Sequence, residues 1–583
     1  MKKYILSSMI LSGLMLASCN LDETPLSKFD ESEAFQSSTL IYVNTVANVY
    51  SSIGGNIYGG TDGIQSMNLL TSDMAFIPGR QGDWVDGGKW QNLTLHNFNP
   101  SQDMFTNNWN HIYSIVGLCN SSIEKLENFK ASNPACEDYI AELRALRAIY
   151  YYFALDNYGN VPIVTSASQS VGDVAQSSRS EVFAFVVKEL TDVLPALSEE
   201  MSQKSGEYYG RITKGIAYEC LAKLAINAPV YTTDLTTASS MSAFVGDQTD
   251  GSASESLGSV ISAKGNNINM TVDGTTRNCW ETAIYCADQL EELGYELENN
   301  YSSNFAVANE TSSENIFVRP NDDKMYMIWD CNHMRSWHYN HAGAMNYSGW
   351  NGPCGTVRAM NVMGLWKDSD LEKADPRLVL NYYTYKDYAD ECGIVADGAT
   401  DQDLEYLPLL ARVDYNTTMQ KAEGWSDTQL AHIVKCGGAR MKKYEFDATS
   451  TIQGDNNNDL VIWRYADAVL MKAEAQYRLG RTGEALATLN TIRARVGATP
   501  KTTINLNTIL DERMMEFAWE DSRRTDQVRF ATWTEPTVDR YPNVSHNASA
   551  GGWNQDTQGY TCVFPIPQAV LDLNTNLKQN PGY

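Results

Sequence analysis

Two short apolar stripes constrain the fold of this chain more than any other feature. Ala466, Leu470, Ala473 and Tyr477 recur at steps of four and three residues, and beyond Gly480 and Gly483 the same spacing returns in Ala485, Leu489, Ile492 and Val496, closed by Gly497. That spacing places each set on one face of a helix, and the short glycine turn predicts an antiparallel pair of the size of a tetratricopeptide unit. Neither stripe can bury itself, so such pairs must stack on others. Further helical patterns supply them. Tyr139, Leu143, Leu146, Tyr150 and Phe153 form one stripe, stopped by Gly159 and Pro162; Glu181–Leu197 and Ile212–Ile226 read as helices, the latter ended by Pro229; and Trp280, Ala283, Ala287 and Leu290 precede Gly294. Four pairs are expected, near 105–157, 181–229, 278–297 (partner unassigned) and 463–497.

The stretches between these pairs read differently. Thr232–Thr276 is rich in Ser, Thr and Gly and is expected as a loop, and residues 300–460 carry many Gly, Asn, Asp, Tyr and Trp with little periodicity. The expected architecture is mostly α: a single domain over 41–583, with tetratricopeptide-like helix pairs as scaffold at about 105–297 and 463–530 and loop-rich insertions at about 50–100 and 300–460.

Charge narrows the function. The chain has 44 basic and 71 acidic residues among 583, a net charge of −27, and no basic cluster, which argues against nucleic acid as a partner and for a neutral ligand. The eleven cysteines include no C-x-x-C pair and are expected mostly as small buried residues. No phosphate loop, H-E-x-x-H or G-x-S-x-G motif occurs, and no cofactor is expected. The cluster Cys331, His333, His338 and His341 fits no zinc spacing, so no metal is expected there. The run from Asp455 to Asp459 begins like a calcium loop but has Leu460 where glycine is required.

At the N-terminus, Lys2 and Lys3 precede an apolar run from Tyr4 to Ala17, the layout of a secretory signal, too short to span a bilayer. Leu16-Ala17-Ser18-Cys19 resembles the lipobox of bacterial lipoproteins, which implies a signal peptide over 1–18, acylation of Cys19 and a polar tether over 19–40. Asp22 and Glu23 resemble the surface-export signal of Bacteroidetes lipoproteins.

Four segments together resemble the SusD/RagB family of outer-membrane nutrient-capture lipoproteins. They are Ala141–Ala148 through Tyr151-Tyr152-Phe153 to Gly159-Asn160-Val161-Pro162; the helix pair ending Ile492-Arg493-Ala494-Arg495-Val496-Gly497; Glu512-Arg513 with Glu516, Glu520, Arg523, Asp526 and Arg529; and Phe564-Pro565-Ile566-Pro567 running to Gln579-Asn580-Pro581-Gly582-Tyr583. Val570 departs from the pattern, standing where the family often has Glu. The resemblance implies a helical-repeat scaffold carrying an irregular, ligand-facing half, a lipid-anchored place on the outer membrane facing the exterior, and a SusC-like TonB-dependent transporter as partner. It implies capture of an oligosaccharide or polysaccharide, or of a peptide, rather than catalysis. The row Glu512, Glu516 and Glu520, spaced along one helix face, is expected to pair with nearby Arg513, Arg523, Arg524 and Arg529. A surface glycosidase is the alternative of another class, needing two carboxylates about 5–10 Å apart across a cleft.

A neutral sugar offers hydroxyls to polar groups and apolar C–H faces to aromatic rings. Two stretches have the matching composition. Residues 80–90 hold Arg80, Asp83, Trp84 and Trp90 among glycines; residues 337–350 hold Trp337, Tyr339, Asn346, Tyr347 and Trp350. These nine are the candidate ligand-binding residues. Each aromatic has a second reading, as a ring that pins its own loop to the body of the protein. Trp280, Trp463 and Trp519 lie on helical stripes and are expected in the core.

Overall fold

A computed structural model describes residues 37–53, 62–203, 206–246, 252–322, 336–364, 368–384, 387, 390, 438–450, 456–534 and 554–583. The expected signal peptide, Cys19, the tether up to residue 36, Cys331, His333 and Asp455 lie outside the described residues.

The expected fold class is observed. Seven helices form the stack: α1 (Asp103–Phe129), α2 (Ala135–Tyr158), α3 (Arg179–Val193), α4 (Lys214–Ile226), α5 (Cys279–Glu292), α6 (Tyr465–Arg478) and α7 (Thr482–Arg495). Successive helices pack as neighbours, and α5, whose partner the sequence left open, lies between α4 and α6. Local chemistry sets their ends. Gly159, at φ +70°, stops α2 where an added Cβ would collide with Leu235. Ser178 and Glu181 form a reciprocal capping box at the start of α3, with the Ser178 amide donating to Glu181 Oε2 at 2.8 Å. The stripes meet in one apolar core containing Trp280, Trp463 and Trp519 as expected, but only Trp280 lies on a helix: Trp463 is on a strand, Leu460–Arg464, and Trp519 lies beyond the helix that ends at Glu516. The seven described cysteines are all buried and free.

Four details differ from the sequence reading. A helix begins at Ser38, inside the stretch read as tether. The segment read as a loop over 232–276 contains a helix, Glu255–Gly265, and one strand of the hairpin Asn269–Val272/Thr275–Asn278. Ile64–Thr71, within an expected loop, is a helix with all eight residues buried. Pro229 opens a short further helix, Ala228–Tyr231, where its missing N–H costs nothing.

The irregular half enters and leaves the stack at one point. Strand β1 (Asn315–Arg319) pairs antiparallel with β2 (Leu460–Arg464), with Asn315 opposite Arg464 and Arg319 opposite Leu460, and β2 runs directly into α6. The two strands thus form a neck between the stack and the intervening chain. Its described elements are short, the longest being six residues.

The neck is fastened by buried charge. Helices α8 (Leu506–Glu516) and α9 (Arg523–Arg529) follow the stack. Arg464 holds Glu314, Glu516 and Glu520 at 2.7, 2.5 and 3.0 Å. Arg377, from the irregular half, holds Asp375, Glu512 and Glu516 at 2.8, 2.6 and 3.0 Å. The carboxylate row is thus ion-paired, with two corrections. Helix α8 ends at Glu516, so Glu520 lies beyond it. The row's partners are Arg377, Arg464, Arg493, Arg495 and Lys443, whereas Arg513, Arg523, Arg524 and Arg529 reach Asp467, Asp73, Asp156 and Glu474. A helix can present each carboxylate to only one direction, and that direction is the neck.

Candidate ligand surface

The two aromatic stretches, about 250 residues apart in sequence, come together. The Trp84 indole N–H donates to the Trp350 carbonyl at 2.7 Å, and Arg80 Nη2 donates to the Gly352 carbonyl at 2.9 Å. The rings of Trp84 and Trp350 lie 6.4 Å apart at 41°, and Trp90 meets Trp84 edge-on at 5.4 Å.

Within this patch the nine candidate residues divide. Trp84 and Trp350 are half-buried; Asp83 and Asn346 are exposed, and Tyr339 is 38% exposed. Arg80, Trp90, Trp337 and Tyr347 are buried. Trp337 is 0% exposed, donates to the Met441 carbonyl at 3.2 Å, stacks on His341 at 4.5 Å and meets Tyr383 edge-on at 5.6 Å. A ring so enclosed has no free face and pins its loop. Trp90 is likewise occupied, its N–H on Asp86 Oδ2 at 2.7 Å and Lys89 Nζ 4.6 Å from its ring centroid.

The buried members position the half-buried ones. Asn351 donates its amide to the Trp337 carbonyl at 2.8 Å, and Arg440 donates to Asn351 Oδ1 at 2.7 Å and to the Ser336 carbonyl at 2.7 Å. Gly349 passes so close that a Cβ would lie 2.6 Å from the Trp337 carbonyl oxygen, which explains the glycine before Trp350. Of the nine non-glycine residues with positive φ among those described, five are Arg80, Trp84, Asp86, Asn346 and Asn351. Backbone strain of this kind persists where surrounding contacts over-determine it, and it gathers at ligand clamps.

The sequence reading did not identify Gln91, Ser336, Asn351 and Arg440 as the polar frame of this patch. Gln91 donates to the carbonyls of Ile77 and Trp84 at 3.0 Å each. Asn351, one residue past Trp350 in a Gly-rich run, was the legible one. His338 and His341 are buried, His341 against Trp337, and no group of three or more metal-ligating side chains forms among the described residues. Asp459, from the calcium-like run, instead accepts from the Tyr209 hydroxyl at 2.7 Å and the Asn321 amide at 3.0 Å.

Within the carboxylate row, Glu516 is held ionised by its neighbours. Burial alone would raise the Glu516 carboxyl, but Arg495, Arg464 and Arg377 overcome it and hold it well below the usual range. Its side chain is fully enclosed among these arginines.

The sequence pattern of the SusD family matches residues 292–583, and a second pattern, described as starch-binding and associating with the outer membrane, matches residues 29–226. The starch-binding protein SusD of Bacteroides thetaiotaomicron is 24% identical over 474 residues, covering 76% of this chain and 72% of that protein. Among solved structures, a laminarin-binding SusD-like protein superposes with a TM-score of 0.62 at 22% identity, covering 94% of this chain and 99% of its own. Surface glycan-binding protein A of Bacteroides thetaiotaomicron, solved with laminarihexaose, gives a TM-score of 0.59 at 18% identity over 93% of this chain and 99% of its own.

Proposed function

This chain belongs to the SusD/RagB family, and on that premise we propose that it captures an oligosaccharide or polysaccharide at the cell surface without altering it. The observation that carries the reading is the pair of half-buried indoles, Trp84 and Trp350, fixed side by side by the Trp84 N–H bond to the Trp350 carbonyl. That bond occupies the polar edge of Trp84, and the exposed part of the two half-buried rings offers apolar surface to the C–H face of a sugar. Asp83 and Asn346 stand exposed nearby to meet hydroxyls. Because the rings are already held, little conformational freedom is lost on binding.

The wider role follows from the family. In this reading Cys19 carries the lipid, the polar segment after it tethers the body to the outer membrane facing outward, and a SusC-like TonB-dependent transporter receives the glycan. More than one acyl chain makes such anchoring stable.

Native gels cast with amylopectin, laminarin or xylan, run beside a reducing-end assay, test this. At least one glycan should retard migration with no release of reducing ends. Release would make the protein a glycosidase. Retardation by none, together with calorimetric binding of peptides, would make it a peptide-capturing relative of RagB type.

A further inference from the structure

A cavity of about 370 Å³ opens beside the neck, lined by Tyr42, Tyr50, Tyr209, Phe317 and Arg319 among others, none from the ring-bearing surface. Its size lies in the range of small-molecule sites. It lies where the first helical segment, the 207–211 turn and strands β1 and β2 meet.

The two arginines on its wall differ. Arg211 is neutralised by Glu142, to which it donates at 2.6 and 3.0 Å, and its guanidinium lies 4.9 and 4.4 Å from the rings of Tyr42 and Tyr208. Among the described residues Arg319 has no ion pair; its hydrogen-bond partner is the neutral side-chain oxygen of Asn321 at 3.2 Å. Burial pushes its guanidinium below the ordinary arginine range. A partly buried charge without a counter-charge is costly, whereas the rest of the neck pairs each buried arginine with carboxylates. The neighbouring tyrosines cannot relieve it: Tyr50 donates to Glu142 at 2.7 Å and Tyr209 to Asp459 at 2.7 Å. Glu207, on the rim, is largely exposed and turned toward Arg211 at 3.8 Å.

We propose that this cavity is a second ligand site, which takes a small ring-bearing carboxylate by seating the ring among Tyr42, Tyr50 and Phe317 and the carboxylate on Arg319. A planar guanidinium binds carboxylate in two parallel hydrogen bonds. The carboxylate could belong to a sugar acid or to a peptide C-terminus, and the test separates them. The site does not depend on Trp84 or Trp350.

Titration calorimetry of the full chain against digalacturonate, its neutral counterpart galactobiose, and the dipeptide Tyr-Ala with free or amidated C-terminus reads the site. One free carboxylate should bind, and its neutral or amidated counterpart should bind about tenfold more weakly or less. Arg319→Gln should lose about the same factor while melting no lower than the parent, because it removes an unpaired charge. Ser51→Trp, on an exposed helix position at the cavity edge, should block the same ligand, and Trp84→Ala should leave it untouched. Failure of both carboxylates to bind, or equal binding by Arg319→Gln, overturns the proposal.

Discussion

The neck and the ring-bearing surface are held together by opposite means. At the neck, buried carboxylates and guanidinia interlock: Glu516 alone meets Arg377, Arg464 and Arg495. At the surface, indole and amide groups bond to backbone carbonyls, aromatic rings stack, and the backbone is left-handed at five non-glycine residues. The first arrangement is sensitive to any loss, since removal of one member unbalances the charge of several buried partners. The second is supported by many weaker contacts beneath two rings that remain partly open. A capture protein needs both: a rigid base so that loop geometry is fixed, and a surface whose outer rings can be replaced, over evolution, without loss of the fold.

Breaking the neck should have the largest effect. Arg464→Met removes the guanidinium shared by Glu314, Glu516 and Glu520 and leaves them to Arg495, Arg377 and Lys443 alone, and removal of one member of such a buried network costs about 3–5 kcal/mol. Urea denaturation should show the midpoint falling by that equivalent. A loss below about 1 kcal/mol would mean that the network is no more than a solvated cluster. Next comes the packing of the stack. Gly265 lies against the fully buried Trp280, so Gly265→Ala should destabilise by about 1–3 kcal/mol through overpacking, read by the same denaturation, and leave glycan binding unchanged. A neutral result would show that the stack yields where the neck does not.

The smallest effect is one of pH. Glu219, buried on α4, is pushed up to about 8 by burial, which outweighs the lowering by Lys223. A carboxyl raised on folding is protonated more readily in the folded chain, so its contribution to stability is complete below the ordinary carboxylate range. That contribution drains away as pH rises through about 8. The melting temperature should therefore slope downward between pH of about 5 and 9, and Glu219→Gln should flatten part of that slope. An identical slope in the variant would remove Glu219 from the account.

Much of the stack was legible because its helices carry broad apolar stripes: the stripe of Tyr139 to Phe153 and the pair at 466–496 need no partner to be seen. The helix Glu255–Gly265 was missed for a physical reason. Two of its three buried positions are glycines, Gly258, over which Leu506 sits, and Gly265, against Trp280, so close approach replaces most of an apolar stripe. The carboxylates at 512, 516 and 520 suggested ion pairs, but Arg377 and Arg464 are remote in sequence, and nothing in local spacing points to them. At the surface, composition selected two separate stretches, and their meeting through Trp84 and Trp350 came only from the fold. Composition also could not divide rings that pin from rings that face outward: Trp337 and Trp350 stand in the same glycine-spaced run, yet one is enclosed by His341 and Tyr383 and the other is half-open.

The central claim is that Trp84 and Trp350 together grip a sugar while the buried frame beneath them holds the fold. Titration calorimetry of Trp84→Ala, Trp350→Ala and the double variant, with whichever of amylopectin, laminarin or xylan retards the parent protein, addresses it directly. Each single variant should lose about tenfold in affinity and the double about a hundredfold, with a cooperative unfolding transition retained in all three. Undiminished affinity in the double variant would contradict the account.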